Sequence, residues 1–231
     1  MFNEMKKMWK LVPYGLSLKT TIAVSVVVVI AGILIEFFQL SYGLQISEPG
    51  ASLFDFGALM IGAGCFMPAQ MVLSIDVSKL AQASPQAKKL QTSGATLLLG
   101  ASFLIMTTLL LLMRIGFGLA NPEYMAEALR GMFGVGVVTL FLLLYTVFLF
   151  KFFWASFIVL YIFFFSAGFS AGADHMFQLF NVSLQISPAA AVTLCYAMVL
   201  LGVAGYYALT CVFYKRPFSK NAFGAMNRKC M

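Results

Sequence analysis

The sequence predicts an all-α membrane protein that crosses the bilayer six times and keeps its amino and carboxyl termini in the cytoplasm. Three observations support this fold class: the composition, the length of the apolar runs and the distribution of the charges. Hydrophobic residues make up 61% of the chain and charged residues 10%, against about 45–50% and about 25% in soluble domains. With 231 residues, the chain has room for one transmembrane domain, residues 1–231.

The first 20 residues combine four lysines with apolar residues spaced three or four apart. This pattern predicts an amphipathic helix that lies in the membrane interface. Trp9 would lie at headgroup depth, and Lys6, Lys7 and Lys10 would anchor the polar face. The alternative is a solvated basic leader that only sets the topology.

Apolar runs long enough to cross a hydrocarbon core of roughly 30 Å predict six spans. These are residues 21–40, 53–74, 94–113, 131–150, 152–172 and 189–213. The fourth and fifth spans come from one run, residues 131–172, in which Lys151 is the only charge. A single helix of that length would be roughly 60 Å long, twice the core thickness. The run therefore divides near Lys151.

Helix-start signals accompany two further boundaries. Ser187 and Pro188 place a cap residue before a proline that suits the first helical position, which predicts the start of the sixth span. Asn121, Pro122 and Glu123 suit a cap, a first helical position and a favourable charge for the helix dipole, which predicts a short amphipathic helix through Arg130.

The basic residues indicate the topology. If the amino terminus is cytoplasmic, thirteen of the fifteen Lys and Arg residues fall on the inner side, and only Arg114 and Arg130 fall outside. The positive-inside rule then places both termini in the cytoplasm, including the tail at residues 214–231. The inner residues are Lys6, Lys7, Lys10, Lys19, Lys79, Lys88, Lys89, Lys151, Lys215, Arg216, Lys220, Arg228 and Lys229.

A polar segment, residues 75–93, separates the second and third spans on the inner side. A Ser-Pro step in its middle is a helix-start signal, so the segment is not expected to be a floppy linker. We interpret it as a cytoplasmic contact surface. Its characteristic residues are Asp76, Lys79, Ser84, Pro85, Lys88 and Lys89.

Three ionisable residues lie in or beside the predicted spans near the outer face: Glu36, Asp55 and Arg114. A charge at the bilayer centre costs about 2.5–3.5 kcal/mol on insertion scales. Pairing Arg114 with Glu36 or Asp55 would lower this cost and would suit a polar mouth to a substrate path. The alternative is that all three reach headgroups or water by snorkelling.

Glycines are concentrated in the second, fourth and fifth predicted spans. Such small residues let helix backbones approach closely, within one subunit or between two. The glycines concerned are Gly57, Gly62, Gly64, Gly131, Gly134, Gly136, Gly168 and Gly172.

Motifs of zinc-dependent hydrolysis and of nucleotide binding are missing from the sequence. HExxH and a Walker-type phosphate loop do not occur. Four cysteines without CxxC spacing and a single histidine, His175, indicate neither a disulfide framework nor a metal site. The net charge of +7 lies at the ends of apolar runs, which indicates membrane topology rather than nucleic-acid binding.

The layout resembles an ABC transporter permease of the type-2 exporter architecture. The likeness covers the basic leader, the six spans with both ends inside, and the inner segment 75–93. In that family the segment often carries an acidic residue, a short helix, a Ser-Pro or Leu-Pro break and then basic residues. The outer segment 173–187 resembles the family's re-entrant outer helices. The matching residues are Asp76, Lys79, Leu80, Ser84, Pro85, Lys88, Lys89 and Leu90.

The resemblance implies a membrane-spanning exporter subunit that is not itself an enzyme. Segment 75–93 and the leader would dock in a groove of a separate ABC ATPase, which binds ATP and magnesium, while this chain binds no cofactor. A second permease copy or a paralogue would complete the unit in the cell membrane, with a bacterial plasma membrane favoured. Two alternatives stay open: the substrate-binding membrane subunit of a small-molecule uptake system, and a non-transport membrane assembly or immunity protein.

Overall fold

The structure, a computed structural model, describes residues 18–38, 40–41, 57–65, 87–170 and 186–216. This part of the chain is helical and contains no β-strand, which confirms the all-α class for these residues. Helices α1 to α8 are Leu18–Phe38, 57–65, Ala87–Lys89, Ala95–Ala120, Met125–Arg130, Met132–Lys151, Phe153–Ser170 and Pro188–Val212. A π-helical segment, Leu90–Gly94, joins α3 to α4, and a 3-10 helix, Pro122–Tyr124, precedes α5.

Among the described residues, three helical stretches are long and apolar enough to cross a membrane, judged by length and composition. They are Leu90–Ala120, Pro122–Lys151 and Pro188–Val212. The stretches Ile22–Phe38 and Phe153–Phe163 are apolar but shorter. Helices of this kind are typical of a transmembrane protein. The count of six spans and the orientation of the termini remain predictions.

Helices α6 and α8 pack side by side and run in the same direction. A methyl group added at Gly136 of α6 would lie 2.8 Å from Cys195 Cα of α8. Further along both helices, a methyl group at Gly202 would lie 3.4 Å from Leu140 Cα. Residue numbers rise together along the contact, so the two helices are parallel. Small residues permit this close approach of the backbones.

Helix α4 runs antiparallel to α8. Gly100 faces Val203 at one level, and Thr108 Oγ1 lies 3.2 Å from the Tyr196 hydroxyl at another. The interior between α4, α6 and α8 is filled by aliphatic and aromatic side chains, so dispersion contacts and close packing stabilise the bundle. The fully buried side chains of this core include Leu99, Phe103, Met106, Leu110, Met132, Val135, Leu143 and Tyr206.

Helix α1 runs antiparallel to α2. Ser25 Oγ donates a hydrogen bond to the Gly64 carbonyl at 2.7 Å, while Glu36 at the far end of α1 contacts Gly57. Between them, a methyl group at Gly32 would lie 2.8 Å from the Ile61 nitrogen. The glycines of the second predicted span thus form a close helix contact within one subunit.

The long apolar run is interrupted at Phe152, which has φ −136° and ψ 56°. Lys151 is the last residue of α6, and α7 begins one residue after the break. The interruption lies beside Lys151, where the sequence predicted that this run divides into two spans.

The two cap signals have different outcomes. Ser187 accepts a hydrogen bond from Ala190 N at 3.3 Å, and Pro188 occupies the first position of α8, as predicted. Asn121 occupies the N-cap position, Pro122 and Glu123 lie in the first turn, and α5 ends at Arg130, all as predicted, although the Asn121 side chain makes no cap hydrogen bond to the following 3-10 helix. The Asn121 amide instead donates to the Phe117 carbonyl at 3.3 Å, which satisfies the end of α4.

Helix α4 extends past Arg114, where the third span was expected to end. It continues to Ala120. The guanidinium of Arg114 is paired inside the bundle, so its charge does not force the helix to end at the membrane surface.

Candidate functional sites at the two ends of the bundle

Polar side chains gather at opposite ends of the bundle. The first group, which we call the Arg114 end, contains Glu36 and Arg114 together with the α4–α6 connection. The second, the Lys151 end, contains the start of α3, the α6–α7 break and the turn after α8. Because α4 runs antiparallel to α6 and α8, these two groups lie at opposite ends of the bundle.

At the Arg114 end, Glu36 of α1 and Arg114 of α4 form an ion pair. Arg114 Nη2 lies 2.7 Å from Glu36 Oε1, and Arg114 Nε donates to the same oxygen at 2.9 Å. Glu36 is 0% exposed and Arg114 is 6% exposed. Of the two alternatives for these residues, the structure therefore shows pairing rather than snorkelling.

The backbone around the ion pair leaves little space. Arg114 Nη1 donates to the Ala128 carbonyl of α5 at 3.0 Å. A methyl group at Gly57 would lie 2.6 Å from Glu36 Oε2, and one at Gly131 would overlap the Arg114 guanidinium. Two glycines thus give the charged groups room, and hydrogen bonds and charge pairing offset their burial. This arrangement ties α1, α4 and α5 together.

At the Lys151 end, the turn after α8 is held by the α6–α7 break. Lys151 is buried, and its Nζ donates to the Arg216 carbonyl at 2.8 Å. The Arg216 guanidinium stacks on the Phe152 ring with its Cζ 3.8 Å from the centroid. Phe152 also meets Phe213 edge to face, with centroids 5.0 Å apart.

Lys88 and Lys89 of the predicted coupling surface lie in the short helix α3 and are exposed. Their carbonyls accept hydrogen bonds from Thr92 Oγ1 at 2.7 Å and Ser93 Oγ at 2.9 Å. Lys88 Nζ lies 5.9 Å from the centroid of the Tyr214 ring. The structure therefore presents both ammonium groups at the surface, next to the turn that follows α8.

A small cavity of about 20 Å³ lies just inside the Lys151 end. This volume suffices for one water molecule. The π-helical segment carries Gln91 into the lining, and π-helical turns occur frequently at functional sites. The lining residues are Gln91, Thr146, Val147, Phe150, Lys151, Tyr206 and Thr210.

Three polar contacts between distant parts of the chain were not predicted from the sequence. The sequence marked Lys151 only as a boundary, whereas the structure uses its ammonium to hold the turn after α8. Its position as the one charge in a long apolar run was the signal that could have found this role. No comparable signal preceded the bond from Arg130 Nε to the Ile186 carbonyl at 3.1 Å, or the Thr108–Tyr196 contact.

The remaining predicted site residues lie outside the described residues. They belong to the interfacial leader, the outer end of the second span and the first part of segment 75–93. They are Lys6, Lys7, Trp9, Lys10, Asp55, Asp76, Lys79, Ser84 and Pro85.

Metal-binding chemistry has no candidate in the described ranges, where no group of three or more His, Cys, Asp or Glu side chains is found. Cys65, Cys195 and Cys211 are free thiols in this part of the chain. No protein-family model, curated protein or solved structure matches the sequence. The function is therefore argued from the two ends of the bundle.

Proposed function

We propose that this chain is the membrane-spanning subunit of an ABC-type exporter and that a separate ATPase subunit docks at the Lys151 end. The observation that carries the proposal is the exposure of Lys88 and Lys89 on a helix that continues directly into α4. A charged surface at the base of an apolar helix suits a soluble partner that must act on the membrane domain.

The charge distribution supports a cytoplasmic position for this end. Five of the seven basic residues whose side chains are described lie at the Lys151 end, and Arg114 and Arg130 lie at the other. Under the positive-inside rule the Lys151 end then faces the cytoplasm, where ATP is hydrolysed. The five residues are Lys88, Lys89, Lys151, Lys215 and Arg216.

The helix geometry offers a route from the docking surface to the far end. The helical stretch 87–120 is continuous through α3, the π-helical segment and α4, and it would be roughly 50 Å long at 1.5 Å per residue. A tilt imposed at Lys88 and Lys89 would move Arg114, and through the ion pair it would move Glu36 and α1. Rigid-body tilting of this kind underlies alternating access.

Charge reversal at the docking surface tests the proposal. We expect the wild-type chain, purified in mild detergent from its own cells, to retain an ATPase that carries a Walker A motif. The Lys88→Glu/Lys89→Glu variant should lose at least tenfold of the retained ATPase, because like-charge repulsion and lost pairing act at the contact. Lys215→Glu is the matched control, since it reverses an exposed charge at the same end outside segment 75–93.

Three results would contradict the proposal. The first is wild-type chain that retains no Walker-type ATPase. The second is a double variant that keeps the ATPase at the wild-type ratio while eluting as a folded protein. Retention lost equally in Lys215→Glu would show a general charge effect and would also reject the specific surface.

A further inference from the structure

The turn after α8 is fixed in place although two of its side chains, Lys215 and Arg216, are exposed. Phe213 N donates to the Leu209 carbonyl at 2.9 Å, and Arg216 N donates to the Phe213 carbonyl at 3.0 Å. Lys151 holds the Arg216 carbonyl, and Phe152 supports the Arg216 guanidinium from one face. The N–H donors of a guanidinium lie in its own plane, and Arg216 is exposed, so an anion can reach them.

The surroundings of this turn carry one sign of charge. Lys88, Lys89, Lys215 and Arg216 are all exposed there. The acidic residues among the described ones are Glu36, Glu123 and Glu127, all on the Arg114 side of the bundle. Within the described ranges, the Lys151 end thus gathers cations without a carboxylate to neutralise them.

Exposed apolar side chains begin directly beside these cations. Val212, one residue before the turn, is 71% exposed. Trp154, two residues after Phe152, is 72% exposed, and Phe157 is 49% exposed on the next turn of α7. A ligand that matches both surfaces needs an anionic head and an apolar tail.

We infer that the Lys151 end binds the headgroup of an anionic phospholipid. Arg216 and Lys88 contact its phosphate, and its acyl chains lie along the exposed apolar residues of α7 and α8. A bilayer supplies this ligand at the right depth, since the cations lie at the ends of helices apolar enough to cross it. The inference goes beyond the proposed transport function and does not depend on it.

Trp154 provides a native reporter for the test. The full chain carrying Trp9→Phe, which leaves Trp154 as its single tryptophan, is reconstituted in phosphatidylcholine vesicles. Brominated phosphatidylglycerol or brominated phosphatidylcholine is then added at increasing mole fraction. Bromine quenches tryptophan at short range, so the ratio of the two half-quenching mole fractions measures headgroup selectivity at this site.

We expect phosphatidylglycerol to quench at a lower mole fraction than phosphatidylcholine. Each cation near an anionic surface contributes roughly a fivefold preference, so Arg216→Gln should lower the selectivity about fivefold and Arg216→Gln/Lys88→Gln further still. Arg216→Lys, which keeps the charge, should retain most of it. Arg130→Gln removes one positive charge at the opposite end and should leave the selectivity unchanged.

Five results would overturn the inference. The first is equal quenching by the two lipids in the unsubstituted site. The second is unchanged selectivity in Arg216→Gln, and the third is an equal loss in Arg130→Gln, which would show bulk charge attraction. The fourth is an equal loss in Arg216→Lys, which would show a damaged turn. Inorganic phosphate at constant ionic strength should not displace the brominated lipid; displacement would assign the cations to a soluble anion and reject a lipid site.

Discussion

At the Arg114 end, each of the two buried charges is stabilised by the opposite charge of its partner. Removing one partner of a buried pair leaves an uncompensated charge and typically costs about 3–5 kcal/mol, whereas replacing both by apolar groups is often close to neutral. Glu36 and Arg114 meet these conditions, since both are buried and two nitrogens of the guanidinium contact one carboxylate oxygen.

We therefore predict strong non-additivity at this pair. Glu36→Leu and Arg114→Leu should each destabilise the protein by about 3–5 kcal/mol, and the double variant should be more stable than either single variant. Arg114→Leu should be the worse of the two, because the Ala128 carbonyl also loses its donor. Thermal unfolding of the purified protein in detergent measures all three.

Arg130→Gln serves as the control for this cycle, since Arg130 lies at the same end and bonds a single backbone carbonyl. It should cost about 1.5 kcal/mol, the lower end of the range for one hydrogen bond to a charged group, because this bond is only partly buried. Single-variant costs that simply add in the Glu36→Leu/Arg114→Leu protein would show that the two side chains act independently, as snorkelling residues would.

At the scale of helices, the close contact between α6 and α8 depends on a glycine, Gly136, which has no side chain to separate the two backbones. An added methyl group at Gly136 would lie 2.8 Å from Cys195 Cα and 3.4 Å from its carbonyl oxygen, so backbone rather than a flexible side chain would have to move. At Gly116 of α4, an added methyl group has no neighbour within 4 Å among the described residues. Replacing each glycine by alanine therefore separates the effect of packing on stability from the effect of helix propensity.

We predict that Gly136→Ala destabilises the protein by about 1–3 kcal/mol, the usual cost of overpacking. Gly116→Ala should be neutral or stabilise it by up to about 1 kcal/mol, since alanine favours a helix more than glycine does. Denaturation of both variants under identical detergent conditions gives the comparison. Equal stability of the two would show that α6 and α8 are not in backbone contact at this point.

Sequence patterns located helices more readily than they located side-chain partners. Apolar length, one lysine and a Ser-Pro step indicated the α6–α7 division and the start of α8, because these signals are local. The partner of Arg114 was left open between Glu36 and Asp55, since pairing depends on how helices far apart in the chain are rotated and packed. No single segment of the sequence predicts that α4 continues past Arg114, or that Lys151 donates a hydrogen bond to the Arg216 carbonyl.

For the molecule as a whole, the unequal charge of the two ends is the feature that links structure to topology. The basic residues of α3, the α6–α7 break and the turn after α8 are far apart in sequence, yet the helix directions bring them to one end. Such clustering follows if that end stays on the cytoplasmic side, because translocating several cations is disfavoured. Both the docking proposal and its mechanism require this orientation.

Cysteine labelling in intact cells tests the orientation with two matched positions. Lys89 and Glu123 are both exposed; Lys89 lies near the start of the helical stretch 87–120, and Glu123 lies three residues beyond its end. In a background without Cys65, Cys195, Cys211 and Cys230, a membrane-impermeant maleimide should label Glu123→Cys in intact cells. It should label Lys89→Cys only after permeabilisation. The reverse labelling pattern would show the opposite orientation, in which a cytoplasmic ATPase could not reach the proposed docking surface. Labelling of both cysteines in intact cells would show that α4 does not cross the membrane.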